Sequence, residues 1–366
     1  MGSLPEIRRV VPLPSPDYAP RVTSTLDSSP SPAQNPDPAG AGNTRHPGKA
    51  PRWVRGVYIA NLVAQSGIIL TGAIVRITGS GLGCPTWPEC VEGSYVPTNR
   101  QAESWHKYVE FGNRLLTFVL AAAAIAAIVA ALVDRHRRRT IGLERRTALT
   151  VLACVPLAGT VVQAVLGGIT VLTGLNPATV AAHFLVSMAL VAVCVLLVVR
   201  SGEVGDTPAV STVHSAVRLL TWGLVAATAV VVFLGVVTTG SGPHSGDADV
   251  EARFFFDPRT VAWLHADSVF LFLGLTVGLL VAASVSRAPS VLVRRTWLVL
   301  GIALVQGVIG YTQYFTGLPE LLVALHVLGA IAVWIAVWFL PPTLRSRGST
   351  DDRDVDLVSR DHRISE

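Results

Sequence analysis

Residues 109–133 read VEFGNRLLTFVLAAAAIAAIVAALV, and the last fifteen of them carry neither a charge nor a proline. About 20 predominantly apolar residues suffice for a helix to cross a bilayer, so this stretch reads as a membrane span whose head holds Glu110, Asn113 and Arg114. The rest of the chain agrees. Of 366 residues, 51% are hydrophobic and only 14% charged, and the mean hydropathy is +0.51. That composition excludes an ordinary soluble domain. Eight apolar blocks follow, at 55–77, 108–133, 148–172, 178–200, 217–239, 259–285, 294–316 and 319–340. No alternation of the kind a barrel needs is visible, so the fold expected is an all-α polytopic membrane bundle.

Lys and Arg fix the expected orientation. Arg45, Lys49, Arg52 and Arg55 precede the first span, DRHRRRTIGLERR follows the second, Arg287, Arg294 and Arg295 follow the sixth, and Arg345 and Arg347 follow the eighth. By the positive-inside rule these segments and both termini are cytoplasmic. The loops GSGLGCPTWPEC and SGPHSGDADVEARFFFDP then face outward. Trp53, Trp222 and Trp297 at inner ends, and Trp105 and Trp263 at outer ends, match interfacial belts. The net charge of +5 follows from this asymmetry and calls for no nucleic acid. Residues 1–50 and 343–366, polar and without an apolar run, read as disordered cytoplasmic tails.

The sequence also repeats itself. QAVLGGITVLTGLNPATVAAH (163–183) aligns without a gap on QGVIGYTQYFTGLPELLVALH (306–326), placing Gln163, Gly167, Thr173, Gly174, Leu175 and His183 on Gln306, Gly310, Thr316, Gly317, Leu318 and His326. TGSG at 78–81, just past the first span, recurs at 239–242, just past the fifth, and VEFGNRLLTF aligns with VAWLHADSVF, which puts Asn113 on His265. A period of four spans preserves orientation, so two parallel four-helix halves are expected, at 55–200 and 217–340. Each half offers one pair from its second and fourth helices: Asn113 with His183, and His265 with His326.

An imidazole within hydrocarbon is costly and marks a functional position. Two histidines on facing helices, with no carboxylate or cysteine beside them, do not complete a zinc shell. They suit the two axial positions of a heme. Here the chain resembles the heme A synthase family over residues 55–340, through the two four-helix repeats, GSGLGCPTWPEC, the Glu-x-x-(His)-Arg pattern at Glu110 to Arg114, AAHF at 181–184, WLH at 263–265 and LH at 325–326. The resemblance implies oxidation of a ring methyl of heme O to a formyl group through a hydroxymethyl stage, in a bacterial cell membrane. It implies heme b ligated by His265 and His326, and heme O received by His183 and Glu110 in the N-terminal half, near the outer face. Glu110 is then the catalytic carboxylate, and Arg114 pairs with it or with a propionate.

The chain departs from the family pattern at Asn113, where a ligand His is expected, which marks it as an actinobacterial-like variant. Either His183 alone holds the substrate heme and leaves an open axial face, the reading favoured, or another group such as His106 replaces the missing ligand. His106, Glu110 and Asn113 share one helical stripe, with His106 about 10 Å along the axis from Asn113. Cys84 and Cys90 bracket the first outer loop and read as a disulfide tying it down, with thiol exchange a lesser option. Cys154 and Cys194 read as small hydrophobes within helices. His244 reads as a solvated loop residue or a neighbour of a heme edge. The competing functions are a di-heme quinone oxidoreductase of cytochrome b type and a non-enzymatic heme carrier; the first usually places two histidines on each of two helices, whereas each helix here offers one. Expected partners are the bilayer, the enzyme that supplies heme O and the assembly proteins of the oxidase that uses heme A. The sequence leaves a homo-oligomer open.

Overall fold

A computed structural model describes residues 49–347, apart from 100, 248 and 251. Residues 1–48 and 348–366, most of the two tails, lie outside that range. Eight helices are long and apolar enough to cross a membrane: α1 (Arg52–Ile77), α2 (His106–Thr140), α3 (Thr147–Leu172), α4 (Pro177–Ser201), α5 (Ser215–Ser241), α6 (Pro258–Val285), α7 (Ser290–Phe315) and α8 (Glu320–Trp338). A single short pairing, Val210–Ser211 with Arg345–Ser346, is the strand structure among the described residues.

Three boundaries differ from the sequence reading. Helix α2 continues to Thr140, so DRHRRRT is helical rather than loop. Arginine is a good helix former, and Arg137, Arg138 and Arg139 in the last turn sit where cations favour the helix dipole. The second TGSG lies largely inside the last turn of α5, with Gly242 as its C-cap, whereas the first follows α1. Residues 343–347, read as the start of the tail, instead finish a 3-10 turn (Pro341–Leu344) and enter the short strand pair.

Helices α1 to α4 form a ring in which α1 touches α2, α2 touches α3, α3 touches α4, and α4 returns to α1. Helices α5 to α8 close in the same way. The rings meet through α1 with α8, α4 with α8 and α4 with α5. One apolar core, including Tyr58, Leu62, Met188, Val191 and Val195, takes in Ile331 and Trp334 of α8, so α8 belongs to both halves. The Trp334 indole N–H donates to the Met188 carbonyl at 2.8 Å, which removes a costly unpaired donor from that seam. Large apolar side chains such as Phe118, Leu219, Val285 and Phe315 lie on the surface, as a lipid-facing bundle requires.

The turns after α3 and α7 are matched. Gly174 and Leu175 have φ of 60° and 58°, and Gly317 and Leu318 have 79° and 63°. This left-handed conformation is easy for glycine and rare for leucine. Both turns close with the same bond: Leu175 N–H reaches Thr170 O at 2.9 Å, and Leu318 N–H reaches Gln313 O at 2.8 Å.

Candidate functional site

Each even-numbered helix carries its chemical residue about two turns from its start. His183 and His326 follow Pro177 and Glu320, while Asn113 and His265 follow His106 and Pro258. All four therefore lie at one end of the bundle, the end that also holds the cysteine loop.

His265 and His326 come together. Their ring centroids are 6.4 Å apart at an interplanar angle of 70°. A metal–imidazole bond of about 2 Å, plus about 1 Å from nitrogen to ring centre, puts the centroids of two ligands of one metal about 6 Å apart. His265 Nδ1 lies 3.0 Å from Val231 O, a bond that fixes the ring and leaves Nε2 for a ligand. His326 Nδ1 is buried with no hydrogen-bond partner among the described residues. Among those residues no three His, Cys, Asp or Glu side chains gather into a metal site. Two nitrogens alone fit an iron whose other four ligands come from a porphyrin.

Glycines make the room. A Cβ at Gly310 would stand 3.0 Å from His326 Cε1, and one at Gly235 would stand 3.1 Å from His265 Cε1. The repeat partner Gly167 lies against His183 Cε1 in the same manner, at 3.5 Å. Gln163 and Gln306, aligned in the repeat, donate from their side-chain amides to the carbonyls of His183 (2.8 Å) and His326 (2.7 Å). In the first half Ser187 Oγ also donates to the His183 carbonyl, at 3.0 Å, and accepts from Gln163.

The N-terminal site differs at Asn113. Its Oδ1 accepts the Thr71 hydroxyl at 2.7 Å, which leaves that oxygen one further lone pair and the other end of the amide an NH2 donor. A neutral amide is a far weaker iron ligand than an imidazole. His183 Nδ1 is buried and unpartnered among the described residues. His106 is oriented by its surroundings: Ser80 Oγ lies 2.9 Å from its Nδ1, and its ring stacks on Trp105 at 4.0 Å.

Glu110 and Arg114 form the support of the outer loop. Glu110 is 5% exposed. Its Oε2 accepts the Cys84 N–H at 2.6 Å, and its Oε1 accepts from Arg114 at 2.7 and 3.0 Å. Arg114 also donates to the carbonyls of Cys84 (2.7 Å), Thr86 (3.0 Å) and Glu89 (3.2 Å). Cys84 and Cys90 are joined in a disulfide. Trp87, at the tip of this loop, packs so closely on α3 that a Cβ at Gly168 would overlap its ring at 2.4 Å. The loop is thus clamped from below by an ion pair and anchored sideways by an indole.

The cysteine loop also meets the other half. Gly81 N–H donates to Gly246 O at 2.8 Å, and Arg76 donates to the carbonyls of His244 (2.8 Å) and Thr239 (3.2 Å). His244 is thus half-buried, its carbonyl held by Arg76. Burial lowers its pKa, Glu320 opposes that, and Arg76 adds to it. Cys194 is buried and accepts from Asn61 at 3.3 Å, while Cys154 faces outward from α3.

Thr71, Ser187, Gly235 and Arg76 were not singled out by sequence. Gly167, Gly310, Gln163 and Gln306 were visible as repeated letters, without their roles.

Eight spanning helices with histidines gathered at one end define a polytopic membrane protein whose donor set fits a porphyrin iron. The chain belongs to the COX15-CtaA family, described as cytochrome oxidase assembly protein, whose profile matches residues 55–338. It is similar to heme A synthases of Geobacillus kaustophilus (38% identical over 76 residues, 20% of each chain) and Alkalihalophilus pseudofirmus (31% over 140 residues, 38% of this chain and 43% of that one). The heme A synthase of Lysinibacillus sphaericus is 31% identical over 147 residues, 40% of this chain and 44% of that one. These alignments span less than half the length of the relatives.

Proposed function

We propose that this chain is a heme A synthase: a bacterial membrane oxidoreductase that converts a ring methyl of heme O to a formyl group through a hydroxymethyl stage. Two parallel four-helix halves with both termini cytoplasmic carry the reaction near the outer face. The observation that carries the reading is the His265–His326 pair at 6.4 Å, set in a chain of this family. The repeated turn, glycine and glutamine contacts support the duplication.

In this reading His265 and His326 hold heme b, and His183 holds heme O. Bound heme supplies the redox chemistry at its own iron. The protein's residues orient, seal and move protons. Gln163 and Ser187 fix the His183 backbone, so that His183 would hold the heme, and Thr71 orients the Asn113 amide. Glu110 would handle the proton, its carboxylate held in place by the Cys84 N–H and balanced by Arg114. The disulfide loop and Trp87 cover the N-terminal half and limit water there.

The test is pigment extraction from membranes of a host that makes heme O but not heme A, with this chain expressed, followed by chromatography and mass spectrometry. Heme A is expected, lost on His183→Ala and kept on Asn113→Ala. Recovery of heme O alone with a red, folded protein, in a host where a known relative converts it, would reject the activity.

A further inference from the structure

Two arginine clusters lie at the basic end of the bundle, and they differ in how their charge is balanced. Around α4, Arg200 pairs with Glu203 and Asp206, and Arg347 reaches Glu203 at 3.2 Å. Arg345 also reaches Glu203, at 3.7 Å, so every one of these arginines has a carboxylate partner. Around α7 there is no such compensation. The charges acting on Arg295 are those of Arg294 and Arg55, all of one sign. No Asp or Glu occurs from 268 to 319, from 321 to 347 or from 49 to 88, so α1 and α7 carry none and α8 carries only Glu320, at its opposite end. Among the described residues none of the three arginines has an ion-pair partner.

Arg295 is also held in place. Its Nη1 donates to Phe339 O at 2.6 Å, and its guanidinium lies over the Phe339 ring, 5.4 Å from the centroid. It stands at the mouth of a cleft of about 220 Å³ whose other walls are Leu298, Ala336 and Phe339. Leu298 is 58% exposed, and its neighbour Trp297 60%. The cleft therefore opens on the lipid-facing surface, with positive charge where a headgroup lies and an apolar channel where a chain lies. Uncompensated basic pockets between spanning helices select anionic headgroups.

We propose that the α7–α8 cleft binds an anionic phospholipid, its phosphate between Arg55, Arg294 and Arg295 and an acyl chain over Leu298, Ala336 and Phe339. The inference rests on the membrane-spanning fold and is independent of the heme reading.

The test is native mass spectrometry of the full chain in detergent, offered phosphatidylglycerol or phosphatidylcholine with identical chains. The variant is Arg55→Gln with Arg294→Gln, two exposed side chains outside the packed core. The wild type is expected to retain one phosphatidylglycerol under activation that strips phosphatidylcholine. The double variant is expected to lose about thirtyfold in retention, from the loss of two arginines near an anionic headgroup, with heme content and thermal melting unchanged. Equal stripping of the two lipids, or unchanged retention by the variant, would overturn the proposal. Displacement by inorganic phosphate at equal concentration would also overturn it, leaving a site for a free anion.

Discussion

One methyl group separates Gly310 from a clash with His326. Gly310→Ala would bring a Cβ to 3.0 Å from Cε1, so the ring or α7 must shift. We expect a stability loss of about 1 kcal/mol, at the low end for overpacking, with weaker heme retention. Thermal melting and heme stoichiometry of the purified protein check both. At Glu110 the expected loss is larger. Glu110→Ala strands Arg114, whose side chain is 23% exposed, under the loop it holds. About 3 kcal/mol of stability should go, near the lower bound for breaking a buried pair, readable by denaturant titration. Arg114→Lys should not restore it, because one ammonium cannot serve a carboxylate and three carbonyls that a planar guanidinium reaches together. The histidines, Glu110 and Arg114 were legible because charged or imidazole groups in apolar runs demand a reason. Thr71 was not. A threonine in a spanning helix is ordinary, and its bond to Asn113 joins residues 42 positions apart that no periodicity links.

At the scale of elements, the cysteine loop and the start of α6 carry the sharpest expectations. Opening the Cys84–Cys90 ring removes about 2 kcal/mol on loop-entropy grounds, so Cys84→Ser with Cys90→Ser should lower the melting temperature while all eight helices persist by circular dichroism. Asp257 caps α6, accepting from the Thr260 N–H at 2.8 Å and its hydroxyl at 2.7 Å. Those bonds lower the Asp257 pKa. The cap therefore stabilises α6 above the ordinary carboxylate range and is lost as pH falls through the depressed value. The protection of the Thr260 amide against exchange, taken relative to its intrinsic rate at each pH, should fall in acid, and Asp257→Asn should remove most of that pH dependence. The helices themselves were readable, since every spanning segment must satisfy its backbone internally. Their ends were less so: the arginines after residue 133 signalled a loop by charge, yet they favour the last turns of α2 by propensity and dipole.

Across the whole molecule, the two rings of four helices carry different residues at one aligned pair of positions. Asn113 stands where His265 stands, with its oxygen turned to Thr71. Asn113→His should therefore create a second facing pair and add a six-coordinate, low-spin heme signal to that of the C-terminal half, measurable by absorbance and electron paramagnetic resonance. The matched contacts of Gln163, Gly167 and His183 with those of Gln306, Gly310 and His326 were legible as letters repeated at one spacing. The way the halves are joined was not, because the bonds from Trp334 to Met188 and from Arg76 to His244 connect segments with no shared pattern. The most direct test of the account is the low-spin heme spectrum of the purified chain loaded with heme b. His265→Ala or His326→Ala should abolish the bis-histidine signal, and His183→Ala should leave it intact. A bis-histidine signal that survives removal of both His265 and His326 would contradict it.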